Sequence, residues 1–229
     1  MTWPDSQFAP APPRPGRGRL RLTGAAGASL VIGGIGAIVV ALVSQVHAPT
    51  PTASAAGAIG PAAVHGPVLS RSLPVSVTIP SIGVRSPLLR LGLNPDGTLQ
   101  VPSLVTSADK AAWYRNSVTP GQAGTSVIEG HVDSYHGPAV FFRLGALRPG
   151  NQVNVKLANG VTAVFKVTGV RSYAKDEFPV KTIYGPADYA ALRLITCGGD
   201  FDSATGHYLG SVVVFASLES PPRGTPATR

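Results

Sequence analysis

From Val68 to Glu219 the apolar residues come in short runs with a period of two, and glycine, proline or asparagine cuts the runs off. This pattern constrains the fold more than any other feature, because a period of two buries one face of a strand and cannot build the stripe of a helix. Val75, Val77 and Ile79 alternate with Ser76 and Thr78 and stop at Pro80; Asn94-Pro95-Asp96-Gly97 makes a turn before Thr98–Val101. Val153, Val155 and Leu157 alternate until Asn159-Gly160 turns the chain into Val161–Val170, the clearest hairpin in the sequence. Leu192–Cys197, ended by two glycines, and Ser211–Ala216 complete the set. Two segments read as helix: Ser107–Arg115, with Ala111, Ala112 and Trp113 packing inward, and one turn over Pro186–Ala191. A mainly β domain, a closed barrel or a sandwich, is expected over residues 68–219.

The segments around this domain differ in kind. Residues 1–21 are rich in proline and arginine without apolar periodicity and are expected to be a disordered cytoplasmic tail. Residues 22–46 carry no charge and match the roughly 20 residues that a bilayer-spanning helix needs. A cleaved signal peptide and a buried soluble helix are the alternatives; the length and glycine content of the run favour a transmembrane anchor. Arg14, Arg17, Arg19 and Arg21 precede it with no matching cluster after it, so the N-terminus is expected in the cytoplasm and the domain outside. Residues 47–67 read as a Pro/Ala/Gly linker with nothing to bury, holding the domain off the membrane, and 220–229 as a disordered tail.

The net charge of +8 invites a nucleic-acid partner. Much of it lies in the flanking segments, however, and no basic stripe interleaved with aromatics runs through the domain, which argues against one. A single cysteine excludes an intrachain disulfide and leaves a lone thiol, notable in a domain expected outside the cytoplasm.

That thiol, Cys197, ends a strand where a loop begins. On the period of two it shares a face with Arg193 and Ile195, while Leu192, Leu194 and Thr196 face the other way. Most free cysteines are small buried hydrophobes, so a reactive one needs a partner. Among five histidines, His131 also ends a strand-like run, Thr125–Gly130. An imidazolium beside a thiol lowers the thiol pKa and can protonate a leaving amine. His131, Asp133 and His136 can also be read as metal ligands, but no fourth group is evident, and no metal or cofactor is expected.

Thr125–Asp133 together with Leu194-Ile195-Thr196-Cys197 resemble the histidine and cysteine signatures of sortases, membrane-anchored cysteine transpeptidases of mainly Gram-positive bacteria. Val77–Ile82, Phe141–Leu144 and Val212–Val214 are similar to other parts of the family domain. Gly130-His131-Val132-Asp133 and Ile195–Gly199 look most like class F of high-GC actinobacteria. L,D-transpeptidases pair Cys with His too, but their cysteine follows Ser/His-Gly rather than Ile-Thr. The resemblance implies an eight-stranded barrel and, as substrates, secreted proteins with a Leu-Pro-x-Thr-Gly sorting signal. Cys197 would form a thioester at the Thr–Gly bond. His131 would protonate the glycine amine and then activate an amine acceptor on a cell-wall precursor or protein. Thr196 would help to hold substrate and oxyanion. Leu209 stands where the family has an oxyanion arginine, and Ser211 where it has an asparagine. Arg193 is then the candidate replacement, and a catalytically weak barrel that binds cell-wall proteins the alternative function.

Overall fold

The computed structural model describes residues 47–60 and 68–219. The expected tail, span and C-terminal tail at 1–21, 22–46 and 220–229 lie outside the described residues. Among those described, no helix is long and apolar enough to cross a membrane.

The domain is a closed eight-stranded barrel in the order β1-β2-β3-β4-β9-β10-β8-β7. Its strands are β1 (Pro74–Ile79), β2 (Val84–Leu91), β3 (Ala111–Tyr114), β4 (Gly124–Glu129), β7 (Gln152–Leu157), β8 (Thr162–Ala174), β9 (Ala190–Asp202) and β10 (His207–Leu218). A separate two-stranded hairpin, β5 (Asp133–Ser134) and β6 (Gly137–Pro138), follows β4. Neighbours are antiparallel except β2 with β3 and β4 with β9, which run parallel.

Two apolar clusters hold the barrel. The inner one fills it with Ile79, Trp113, Ile128, Phe141, Phe165, Leu194 and further aliphatic side chains. The second lies on the outer face of β4, β9 and β10, where Val127, Ile195, Val213 and Phe215 are roofed by Leu99, Ile183 and the partly buried Tyr173, Phe178 and Tyr184. Each large apolar side chain so buried is worth roughly 1.5–3 kcal/mol. Because both faces of this part of the sheet are covered, β4 is buried along its whole length.

Several local expectations are corrected. Ser107–Arg115 is no helix: Ala111–Tyr114 forms β3, between β2 and β4. Its four residues are all buried, so the polar alternation that marks a strand is missing. The short helix α1 is Val180–Tyr184, not Pro186–Ala191, and Ala190 already opens β9. Val75 points to solvent because β1 shifts register between Pro74 and Ser76. Gly198 and Gly199 do not end β9, which runs on to Asp202. Gly199 has a left-handed φ of +78°, and a Cβ at Gly198 would lie 2.8 Å from Val212 Cγ2, so only glycine passes there without strain.

Residues 47–60 have something to bury after all. Ala55 is wholly enclosed in the inner cluster, Ala58 N–H donates to the Thr168 carbonyl at 2.9 Å, and Ile59 packs on the outer cluster. The segment is laid against the barrel, with Gly57 and Gly169 permitting backbone contact: a Cβ at Gly57 would fall 2.0 Å from Thr168 O.

Candidate active site

The site is built by the parallel pair β4–β9. Glu129 stands against Ile195, and the ladder continues past β4, with Gly130 N–H donating to the Ile195 carbonyl at 3.2 Å. The recorded pairing stops at Glu129 and Ile195, so His131 and Cys197 each follow the last pair by two residues, at the same end of the two strands. Gly130 makes the approach tight, since a Cβ there would lie 2.6 Å from Val140 Cγ1. Phe141 N–H then donates to the His131 carbonyl at 2.9 Å and pins the loop that leaves the strand.

The His131 ring is buried, and its Nε2 lies 2.6 Å from the Pro102 carbonyl. A carbonyl only accepts, so Nε2 carries the proton and Nδ1 keeps a free lone pair. Burial lowers the imidazole pKa, with the Pro102 bond and the Asp133 charge opposing. At Cys197 burial pushes the thiol pKa up; the Lys175 charge pulls it down, and Asp133 and Glu129 push it up again. Burial thus favours the neutral form of each group taken by itself. Desolvation, which disfavours both charged forms, outweighs the neighbours.

Asp133 ties the site together. It acts electrostatically on both His131 and Cys197 and accepts a hydrogen bond from the Tyr208 hydroxyl at the start of β10. Tyr208 in turn stacks edge-on with Phe201 at 5.1 Å between ring centroids. His136 is exposed, and among the described residues no group of three or more His, Cys, Asp or Glu is placed to hold a metal ion.

The other expected site residues are not drawn to the thiol. Arg193 is buried, its guanidinium carbon 4.7 Å from the Phe215 ring centroid and its NH1 donating to the Leu192 carbonyl. Phe215 pairs with Arg193 whereas Ser211 pairs with Cys197, so the guanidinium sits four residue pairs along the sheet from the sulfur. Thr196 belongs to the inner face; its buried Oγ1 has no hydrogen-bond partner in the structure. Leu209 falls in a register shift of β10 and is 54% exposed, away from any core.

Ser211, matched from sequence to the family's asparagine, lies opposite Cys197 with a buried hydroxyl lacking a protein partner. Two residues that sequence reasoning passed over also act on the site. Lys175 is the cation acting on the thiol. Glu129, 3% exposed with neither oxygen hydrogen-bonded, is the second. A cleft beside the cysteine is lined by Thr196, Cys197 and Gly198 and, across it, by Ala48, Pro49 and Thr50.

Compared with known protein families, residues 77–219 match the sortase domain. The chain belongs to the sortase family. Members of this family are cysteine transpeptidases that act on proteins bearing sorting signals of the Leu-Pro-x-Thr-Gly type. Sortase A from Corynebacterium diphtheriae is 17% identical with a TM-score of 0.48, the match covering 69% of this chain and 66% of that one. Its lid mutant is 17% identical with a TM-score of 0.50, covering 70% and 77%. The Streptococcus agalactiae sortase C1 in complex with MTSET is 14% identical with a TM-score of 0.50, covering 69% and 74%. At these identities the likeness is one of fold. No curated protein matches the chain.

Proposed function

We propose that this sortase is a membrane-anchored, extracytoplasmic transpeptidase of the class F type. It cleaves a Leu-Pro-x-Thr-Gly signal between Thr and Gly and transfers the acyl group to an amine. The observation that supports the reading is the parallel β4–β9 pairing, whose last pair, Glu129 and Ile195, lies two residues before His131 and Cys197. Cys197 Sγ bonds to the threonine carbonyl carbon while its proton passes to His131 Nδ1. The tetrahedral intermediate collapses, the C–N bond breaks, and the proton leaves with the glycine amine. The incoming amine then gives a proton to His131 and displaces the sulfur, which takes that proton from His131 and restores the thiol. Arginines ahead of the uncharged run 22–46 support an anchor with the barrel outside.

Mass spectrometry of the protein incubated with a Leu-Pro-x-Thr-Gly peptide tests this. The expected result is an acyl adduct on Cys197 that an added amine discharges. A protein that binds the peptide but never acylates would instead be the weak, binding-only barrel, the reading that the exposed Leu209 favours.

A further inference from the structure

The developing oxyanion needs a donor, and neither Leu209 nor the distant Arg193 supplies one. The sheet offers another. Ser211 pairs with Cys197 on one side and with Tyr173 of β8 on the other. Tyr173 packs in the outer cluster, so its side chain is on the face that carries Cys197, and Lys175, two residues on, returns to that face. The ladder persists to this point, because Lys175 N–H donates to the Leu209 carbonyl at 3.0 Å. Lys175 thus stands beside the expected arginine position, two strands across and two residues along, or about 12 Å, from the cysteine backbone, a gap that its long flexible stem is suited to narrow. It is half-buried, and among the described residues it forms no ion pair.

We propose that the Lys175 ammonium is the catalytic oxyanion donor of this enzyme, filling from β8 the role that Leu209 leaves vacant on β10. The inference rests on the transpeptidase reading. As the C–S bond forms, the carbonyl π pair moves onto oxygen, and Lys175 donates a hydrogen bond to that oxygen. When the pair returns and the C–N bond breaks, the hydrogen bond weakens and the ammonium keeps its proton. The pull of Lys175 on the thiol pKa agrees with a cation near enough to act on the sulfur.

The test uses the full chain with Lys175→Met, Lys175→Arg and the double variant Lys175→Met/Leu209→Arg. Acylation by the peptide, thermal midpoints and the pH profile of iodoacetamide alkylation are measured for each. Lys175→Met should lower kcat by about 10²–10³ with little change in KM. Lys175→Arg should keep most activity, and adding Leu209→Arg should restore part of it. The alkylation profile of Lys175→Met should move to higher pH. An undiminished kcat in Lys175→Met overturns the inference, as does a loss that neither arginine relieves in folded variants. Wild-type protein that never acylates fails the transpeptidase reading instead. An unchanged alkylation profile overturns the Lys175 assignment whether or not peptide is turned over.

Discussion

The Pro102 carbonyl holds His131 Nε2 at 2.6 Å, and this contact fixes which ring nitrogen carries the proton. With Nε2 committed as a donor, Nδ1 is the nitrogen left to act as base in the proposed transfer. Burial favours the neutral form of each group, lowering the imidazole pKa and raising that of the thiol. The reactive state holds one proton between them. It is lost at low pH, when imidazole is protonated as well, and at high pH, when the thiol proton is gone. Rate against pH should therefore give a broad plateau, from below the ordinary imidazole value to above the ordinary thiol value. Its two limbs belong to the pair. Cys197→Ala should abolish acylation and His131→Ala nearly so, with the double variant no worse than the worse single one. A narrow optimum, or an active His131→Ala, would remove this assignment.

Arg193 is a packing residue in this arrangement. Replacing Arg193 with Met should leave kcat/KM essentially unchanged, because the guanidinium lies over Phe215 rather than at the sulfur. Stability should hold or rise, since a buried charged group is often matched or bettered by an apolar one of similar volume. Peptide kinetics and thermal unfolding on one preparation check both halves. A large fall in kcat would return Arg193 to the oxyanion role.

Glu129 should make stability depend on pH in an unusual direction. Burial raises its carboxyl pKa well above the ordinary glutamate value. A group raised in the folded state contributes fully below its unfolded pKa and loses that contribution as pH rises through the folded one. Glu129→Gln should therefore melt close to wild type in acid and above it at neutral pH. The gap should widen from the ordinary glutamate value upward. Parallel melting curves across that range would show that the carboxyl finds a partner in solution.

Phe165 tests the barrel itself. It is fully buried in β8 between Val153 of β7 and Leu218 of β10. Phe165→Ala should cost about 3–5 kcal/mol, read from denaturant midpoints at constant slope. A cost under about 1 kcal/mol would mean that the core at this point collapses around the gap.

The strands β1, β7, β8 and β10 were legible because each keeps the turn residues or the alternation that its exposure requires. Strand β3 was not: Ala111-Ala112-Trp113 has covered surfaces on both sides and so shows no alternation. Cys197 and His131 were visible as chemistry at strand ends. The strands that carry them meet in a parallel contact between segments more than sixty residues apart in the chain, which no local pattern encodes. Lys175 sits at the end of a long strand whose tip reads as a loop. Its place beside Leu209 appears only once β8 and β10 are paired. Ala55 carries no signal of its own; a lone alanine in a Pro/Ala-rich run looks like a spacer until a barrel closes over it.

The course of residues 48–60 bears on how the proposed anchor would hold the enzyme. Pro49 and Thr50 line the cleft at Cys197, so the chain enters the domain past its own nucleophile. With residues 22–46 spanning a bilayer, as proposed, only His47 separates the end of the span from Ala48, two steps or about 7 Å of extended chain. Such a tether is too short to act as a spacer. It would moor the barrel mouth-down, with the nucleophile facing the lipid headgroups. Only substrates that are themselves held at the membrane would then meet it readily.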